Sequence, residues 1–212
     1  MADTNKKKGF LGKFFTVLSG KPTDAEENEQ NSLTYGSSKK EPVDLSFVKN
    51  FTASGGKFLY CENEKDAYHY LEQIIPESGL NGIFCQNSNL EGILTNAGLK
   101  DYIKPLTEAD AFCSSCEYLI SFNGGIMITA KQTLGKKLDE LPETFITIAK
   151  TSQILENLRA GLTGIRNKYK GDIPSQITTI KGPIKSSNPD ATQGAICSKE
   201  IYLLLIEDQI TE

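Results

Sequence analysis

From Asp44 onward, short apolar runs alternate with stretches whose apolar residues recur every three or four positions. Leu45, Val48 and Phe51 share one helical face, with Asp44 placed to cap that helix and Gly55-Gly56 to close it. Residues 57–61 read as a strand. Asn63 then caps a helix that places Ala67, Tyr68, Leu71, Ile74 and Ile75 on one side, with Pro76 as its stop. A second short strand covers 82–85, and a helix over 90–97 ends at Gly98. The second half predicts strands around 116–120, 125–129 and 145–149. It continues with a long helix carrying Ile154, Leu155, Leu158, Leu162 and Ile165, then strands near 177–180 and 201–206. Strand and helix in alternation imply an α/β fold, a mostly parallel sheet flanked by helices.

The pattern ahead of Asp44 is different. Phe10, Leu11, Phe14, Phe15 and Leu18 fall on one helical face beside lysines, while Gly9 and Gly12 weaken the helix. Such a face suits an anionic membrane surface, a partner subunit or the chain's own domain. Residues 20–42 are polar and charged, with too few large apolar groups to offset the entropy of ordering. Residues 1–43 are thus read as a basic amphipathic tail and a polar linker, disordered in part, and residues 44–212 as one folded domain. No apolar run approaches the length needed to span a bilayer. Five cysteines (Cys61, Cys85, Cys113, Cys116 and Cys197) form no regular framework, and no secretory signal opens the chain, so a reducing cytoplasm is the expected location. The net charge is −4; residues 1–40 hold seven lysines against five acids, which leaves an acidic body and argues against nucleic acid as a partner.

Three segments bear chemistry. In the first, Glu117 lies on an apolar strand that runs into Asn123-Gly124-Gly125 and a further apolar strand. The glycines fit a hairpin turn, or a bare backbone that a carboxylate or phosphate can approach closely. Glu117 either faces outward or, if it points into a cleft, needs a partner. In a cleft an elevated pKa would suit general acid–base work or attack on an acyl group. In the second segment, Gly182-Pro183 sets a turn, with Lys185 as cation and Ser186 as donor for an anionic ligand, a composition that also fits any exposed loop. The third, Cys113-Ser114-Ser115-Cys116, invites a redox or zinc reading. Neither the other ligands of a zinc site nor the four cysteines of a cluster accompany it, and the single histidine, His69, has no second ligand at metal spacing. No metal or cofactor is therefore expected, and nucleophile elbows, Walker loops and dinucleotide fingerprints are absent.

From Cys116 to Ile206 the chain resembles the lactate-utilisation protein C branch of the LUD-domain family. Glu117 through Asn123-Gly124-Gly125 is similar to the family's Glu-bearing strand and its Thr-Gly-Thr or Thr-Gly-Ser turn. Gly135-Lys136-Lys137-Leu138 is similar to Gly-Arg-Arg-Leu, and the run from Pro142 through Ser152-Gln153-Ile154 resembles the family's strand and Ser-Gln-Ile/Leu helix start. The signature Thr-Gly-Pro-Ser-Lys/Arg-Thr-Ala-Asp-Ile-Glu loop falls on Lys181 to Asp190, and the last strand on Lys199 to Leu205. The loop departs from the pattern: its Asp is lost, its Glu is shortened to Asp190 and Pro189 replaces an Ile. The usual Gly-Val-His-Gly-Pro turn reads Gly194-Ala195-Ile196-Cys197-Ser198. The resemblance is thus to a divergent member of that branch.

The resemblance implies a fold similar to the ribose-phosphate isomerase, glucosamine-phosphate deaminase and CoA-transferase group. It also implies an accessory component, itself without an iron–sulfur cluster, that works beside iron–sulfur partner proteins in oxidising L-lactate to pyruvate. Lys185, Ser186, Gly182, Pro183 and the Asn123–Gly125 turn would hold a small anionic ligand, with Glu117 as proton acceptor or structural brace. Two alternatives stay open: a stand-alone CoA-transferase-like or sugar-phosphate-isomerase-like enzyme using Glu117, and a catalytically silent interaction protein recruited through residues 6–18.

Overall fold

The computed structural model describes residues 41–85, 87–183, 195–196 and 199–208. The amphipathic segment 6–18 lies outside them, as do Lys185 and Ser186.

Helix α1 (Val43–Ala53) buries Leu45, Phe47, Val48 and Phe51. Phe47 and Phe51, one turn apart, stack at 5.7 Å between centroids. Pro42, not Asp44, occupies the cap position. Asp44 sits in the first turn, where its charge still favours the helix dipole. Strand β1 (Lys57–Cys61) leads to α2 (Glu64–Glu77), whose cap is Asn63, its side-chain oxygen accepting from Lys65 N–H. Pro76 is accommodated in the last turn of α2, which runs one residue past it. Strand β2 (Ile83–Cys85) and α3 (Ser88–Asn96) follow, then β3 (Ala111–Ser114). The hydrophobic pattern did not predict β3: it is four residues long, and its Cys and Ser carry little strand signal.

After β3 the chain leaves the first sheet. Strands β4 (Tyr118–Ile120) and β5 (Gly125–Ile128) form an antiparallel hairpin, followed by the one-turn helix α4 (Ala130–Thr133). Strand β6 (Thr144–Lys150) returns to the first sheet. Ile154 and Leu155, expected in the long helix, instead form β7 beside β4. Asn157 caps the true helix α5 (Leu158–Tyr169), so the apolar period is broken two residues ahead of it. Strands β8 (Thr178–Lys181), β9 (Ala195–Ile196) and β10 (Glu200–Ile206) complete the chain.

These strands make two five-stranded sheets, one of order β1-β10-β6-β3-β2 and one of order β7-β4-β5-β8-β9. All pairs in the first are parallel. The fold is mixed α/β with a mostly parallel central sheet flanked by helices, and the second, mixed sheet adds a layer that strand order alone does not announce. Alternate side chains of the central sheet face opposite ways. Cys113, Ile146, Ile148 and Leu204 meet α2 and α3, whereas Phe112, Phe145, Leu203 and Leu205 meet α1 and the second sheet. Burial on both faces explains the unbroken apolar run of β10.

The outer face of the second sheet is covered by α5, where Ile165 packs on Ile120 and Met127. The helix comes very close: a Cβ at Gly161 would lie 2.7 Å from Met127 Cε, and one at Gly164 2.6 Å from the Tyr118 ring. The β4–β5 turn is equally tight against α1. Gly124 has φ +64°, and a Cβ there would stand 2.2 Å from Phe51 N and 2.4 Å from the Asn50 carbonyl carbon. Asn50 Nδ2 donates to the carbonyls of Ser121 (2.8 Å) and Phe122 (3.2 Å), fixing the same turn.

Gly124→Ala should therefore cost about 2–4 kcal/mol, since it adds backbone collision to left-handed strain. Gly98→Ala, also at positive φ but with open space around its Cβ, should cost roughly 1 kcal/mol, strain alone. Urea unfolding midpoints of the two variants measure the difference.

Candidate functional site

Parallel strands bring their C-terminal ends to one edge, and in open α/β sheets ligands bind outside that edge. Here the ends of β2 and β3 open into a cleft of about 390 Å³. Its floor is Phe112, Cys113, Ser114 and Ser115; Asn87, the cap of α3, forms one side. The other side comes from the second sheet's helices: Lys131 and Gln132 on α4, Lys168 and Tyr169 at the end of α5. Two lysines and no acid are among these lining residues.

Beneath that second wall lies Glu117. Its backbone continues the hairpin, the N–H donating to the Met127 carbonyl at 2.8 Å. Its side chain is wholly removed from solvent. Burial alone drives a carboxyl pKa upward, yet three donors oppose it. Lys168 Nζ donates to Oε2 at 2.8 Å, and Gln132 Nε2 and Tyr169 Oη each donate to Oε1 at 2.8 Å. The donors win, and the Glu117 carboxyl is held below its ordinary value of 4.5. This reverses the elevated pKa expected for a carboxylate in a cleft. Lys168 moves the other way: burial would lower it, but the Glu117 carboxylate raises it above 10.5.

The donors are themselves held. Gln132 Oε1 accepts from the N–H (2.9 Å) and hydroxyl (2.7 Å) of Thr129, so its amide nitrogen is turned toward Glu117. Lys131 Nζ lies 4.1 Å from the centre of the Tyr169 ring, a cation–π contact that presses the ring onto the cleft wall. Gln153 Nε2 donates to the carbonyls of Cys116 (2.8 Å) and Glu117 (3.2 Å), pinning the connection between β3 and β4. Lys168 neutralises Glu117, so among the described residues Lys131, which lies over the Tyr169 ring, is the lining charge with no acidic partner.

The residues singled out in the sequence are distributed over both ends of the hairpin. Glu117 is at one end, under the cleft. Asn123, Gly124 and Gly125 form the turn at the other, where Asn123 Oδ1 accepts from Gly125 N–H at 3.0 Å. Gly182 is close to that turn along the β5–β8 ladder, and a Cβ on it would meet the Ser54 carbonyl oxygen at 2.2 Å. Both glycine turns thus pack on α1 and the segment after it, while the neighbouring Pro183 is exposed. Cys113 and Cys116 do not converge: Cys113 faces α2 and α3, Cys116 the opposite core. Sequence reasoning missed Asn87, Lys131, Gln132, Lys168 and Tyr169. The only signal was indirect, a carboxylate on an apolar strand that had to be paired with something.

Residues 45–206 match the model of the LUD domain, and the chain belongs to the LUD-domain family. That family is linked to lactate utilisation. Among solved structures, the chain is similar to a DUF162 family protein from Deinococcus radiodurans, with a TM-score of 0.50 and 15% identity, over 78% of this chain and 95% of that one. At that identity the likeness is one of fold. No curated protein matches the chain.

Because the folded-state pKa of Glu117 is depressed, its ionised form contributes stability that is fully present above about pH 4.5 and is lost as pH falls through the folded value. Glu117→Gln should cost about 2 kcal/mol at pH 7, with the loss limited by the half-exposed position of Lys168. It should also flatten the fall in stability below pH 4.5. Chemical denaturation from pH 3 to 7 on both proteins checks the sign.

Proposed function

We propose that this chain is the accessory, non-iron–sulfur component of an L-lactate utilisation system, and that it binds a small organic anion in the cleft at the ends of β2 and β3. One observation carries the anion: the described cleft lining presents Lys131, Lys168, Ser114, Ser115 and Asn87 with no acidic side chain. A carboxylate entering there meets one lysine already committed to Glu117 and one that is not, with serines and an amide to orient it. Family membership supports the lactate setting, and iron–sulfur proteins are the partners it suggests.

Glu117 serves this site as a brace. Both of its oxygens already accept hydrogen bonds from α4 and α5 residues, so it fixes the lysine and tyrosine that the ligand touches. Attack on an acyl group would require those bonds to break first.

Calorimetry with pyruvate, L-lactate and an acyl-CoA thioester tests the reading. One of them should release heat, and Lys131→Ala should weaken its binding roughly tenfold, about 1.4 kcal/mol. No heat from any of the three at concentrations well above millimolar removes the binding proposal. Isolation of the tagged chain from its native cells without any iron–sulfur protein removes the partner proposal.

A further inference from the structure

The cysteine spacing in the sequence draws attention to Cys113 and Cys116, but the fold pairs Cys113 with another residue. Strands β2 and β3 are parallel neighbours, and Cys85 and Cys113 face each other in register. Adjacent strands lie about 4.7–4.9 Å apart, inside the roughly 4.4–6.8 Å between Cα atoms that a disulfide bridges. Both side chains point to the same side, into the core under α2 and α3. Both cysteines are free.

The two thiols are in hydrogen-bond contact, and the contact shifts their pKa values in opposite directions. The Cys113 thiol lowers the pKa of Cys85 against the opposing effect of burial, while the same contact, with burial adding to it, pushes Cys113 well above 9.0. Cys85 Sγ also contacts the Asn87 carbonyl at 3.5 Å. A thiolate is the nucleophile in sulfur oxidation, so this pair presents a favoured nucleophile beside a thiol ready to resolve it. Both cysteines are buried, and the cleft, whose floor includes Cys113, is the proposed route of entry.

We propose that Cys85 and Cys113 form an oxidation site, a dithiol at the cleft floor that closes to an intramolecular disulfide when a small peroxide enters. Peroxide transfers one oxygen to one sulfur, giving a sulfenic acid and a first water. The other thiol then attacks that sulfur, a second water leaves, and the S–S bond remains. Two electrons and two protons pass from the dithiol to hydrogen peroxide, and no other reactant is needed. Closure costs Cys85 its contact with the Asn87 carbonyl, so the change is felt at a residue that caps α3 and lines the cleft.

The test is a peptide map of the whole protein after hydrogen peroxide, with alkylation of remaining thiols and no reductant. Trypsin places Cys85 in the peptide 66–100 and both Cys113 and Cys116 in 101–131. The expected product is a linked pair of these peptides lacking two hydrogens, with fragmentation assigning the bond to Cys113 and leaving Cys116 alkylated. Cys116→Ala should still form it, and reduction should restore the starting masses. Three results overturn the proposal: no linked pair at a peroxide dose that oxidises the thiols of the urea-unfolded chain, a link that fragments to Cys116, or a link found only between two molecules. Because the map in the unaltered protein is decisive, a variant that fails to fold does not blunt it, and the anion-binding reading stands or falls separately.

Discussion

A carboxylate taken wholly out of water must be met by donors, and the way Glu117 meets this demand organises the rest of the site. One donor comes from α4 and two from the end of α5, elements separated in sequence by the return to the central sheet. The β4–β5 hairpin, the short helix and the long helix are therefore tied to a single point. Apart from that point α4, a single turn, is held by its Thr129 cap, its contacts with β5, the Ala130 N–H bond to the Ser175 carbonyl and the Lys131–Tyr169 contact. The wall of the cleft that carries Lys131, Gln132, Lys168 and Tyr169 is in this sense the outer surface of one satisfied buried charge. Removing such a charge's partners costs more than the pair contributes, which makes the arrangement stiff against change.

The central sheet supplies the opposite wall by a simpler device. Its five strands are parallel, so every strand's C-terminal end, and the caps Asn63 and Asn87 of the helices that follow β1 and β2, gather at one edge. The chain crosses to the second sheet between β3 and β6 and again between β6 and β10. These excursions bring the helix ends of the second sheet over the edge of the first. The cleft is where the two systems meet, a geometry that neither sheet would create alone.

The helices of the first half of the chain were legible because their apolar period is regular from Val43 to Asn96, and Asn63 caps its helix as read, although Pro42 takes the cap expected of Asp44 and α2 runs one residue past Pro76. The central strand β10 was equally plain from its apolar run. What escaped was set by long-range pairing. The strand Ala111–Ser114 has too little local preference to declare itself, and Ile154-Leu155 continues a helical period while belonging to a sheet edge. At the site, the need for a partner to Glu117 could be deduced from desolvation, but the partners lie 15 to 52 residues away and no spacing rule connects them. The Asn123-Gly124-Gly125 and Gly182-Pro183 segments were read as turns or as backbone open to an anion; in the structure the backbone at Gly124 and Gly182 lies close to α1 and the segment after it. The CxxC spacing drew attention to two residues, Cys113 on β3 and Cys116 just beyond it, whose side chains enter opposite cores.

The glycines of α5 have a consequence at a distance from themselves. Gly161 and Gly164 let the helix axis settle almost onto Met127 and Tyr118, and that depth is carried rigidly along the last turn to Lys168 and Tyr169. The reach of a lysine is thus calibrated by absent methyl groups one and two turns upstream. In chains of this architecture, the bulk allowed at those two positions would be a dial on how far the cation stands above the floor, and so on the size of anion the mouth admits.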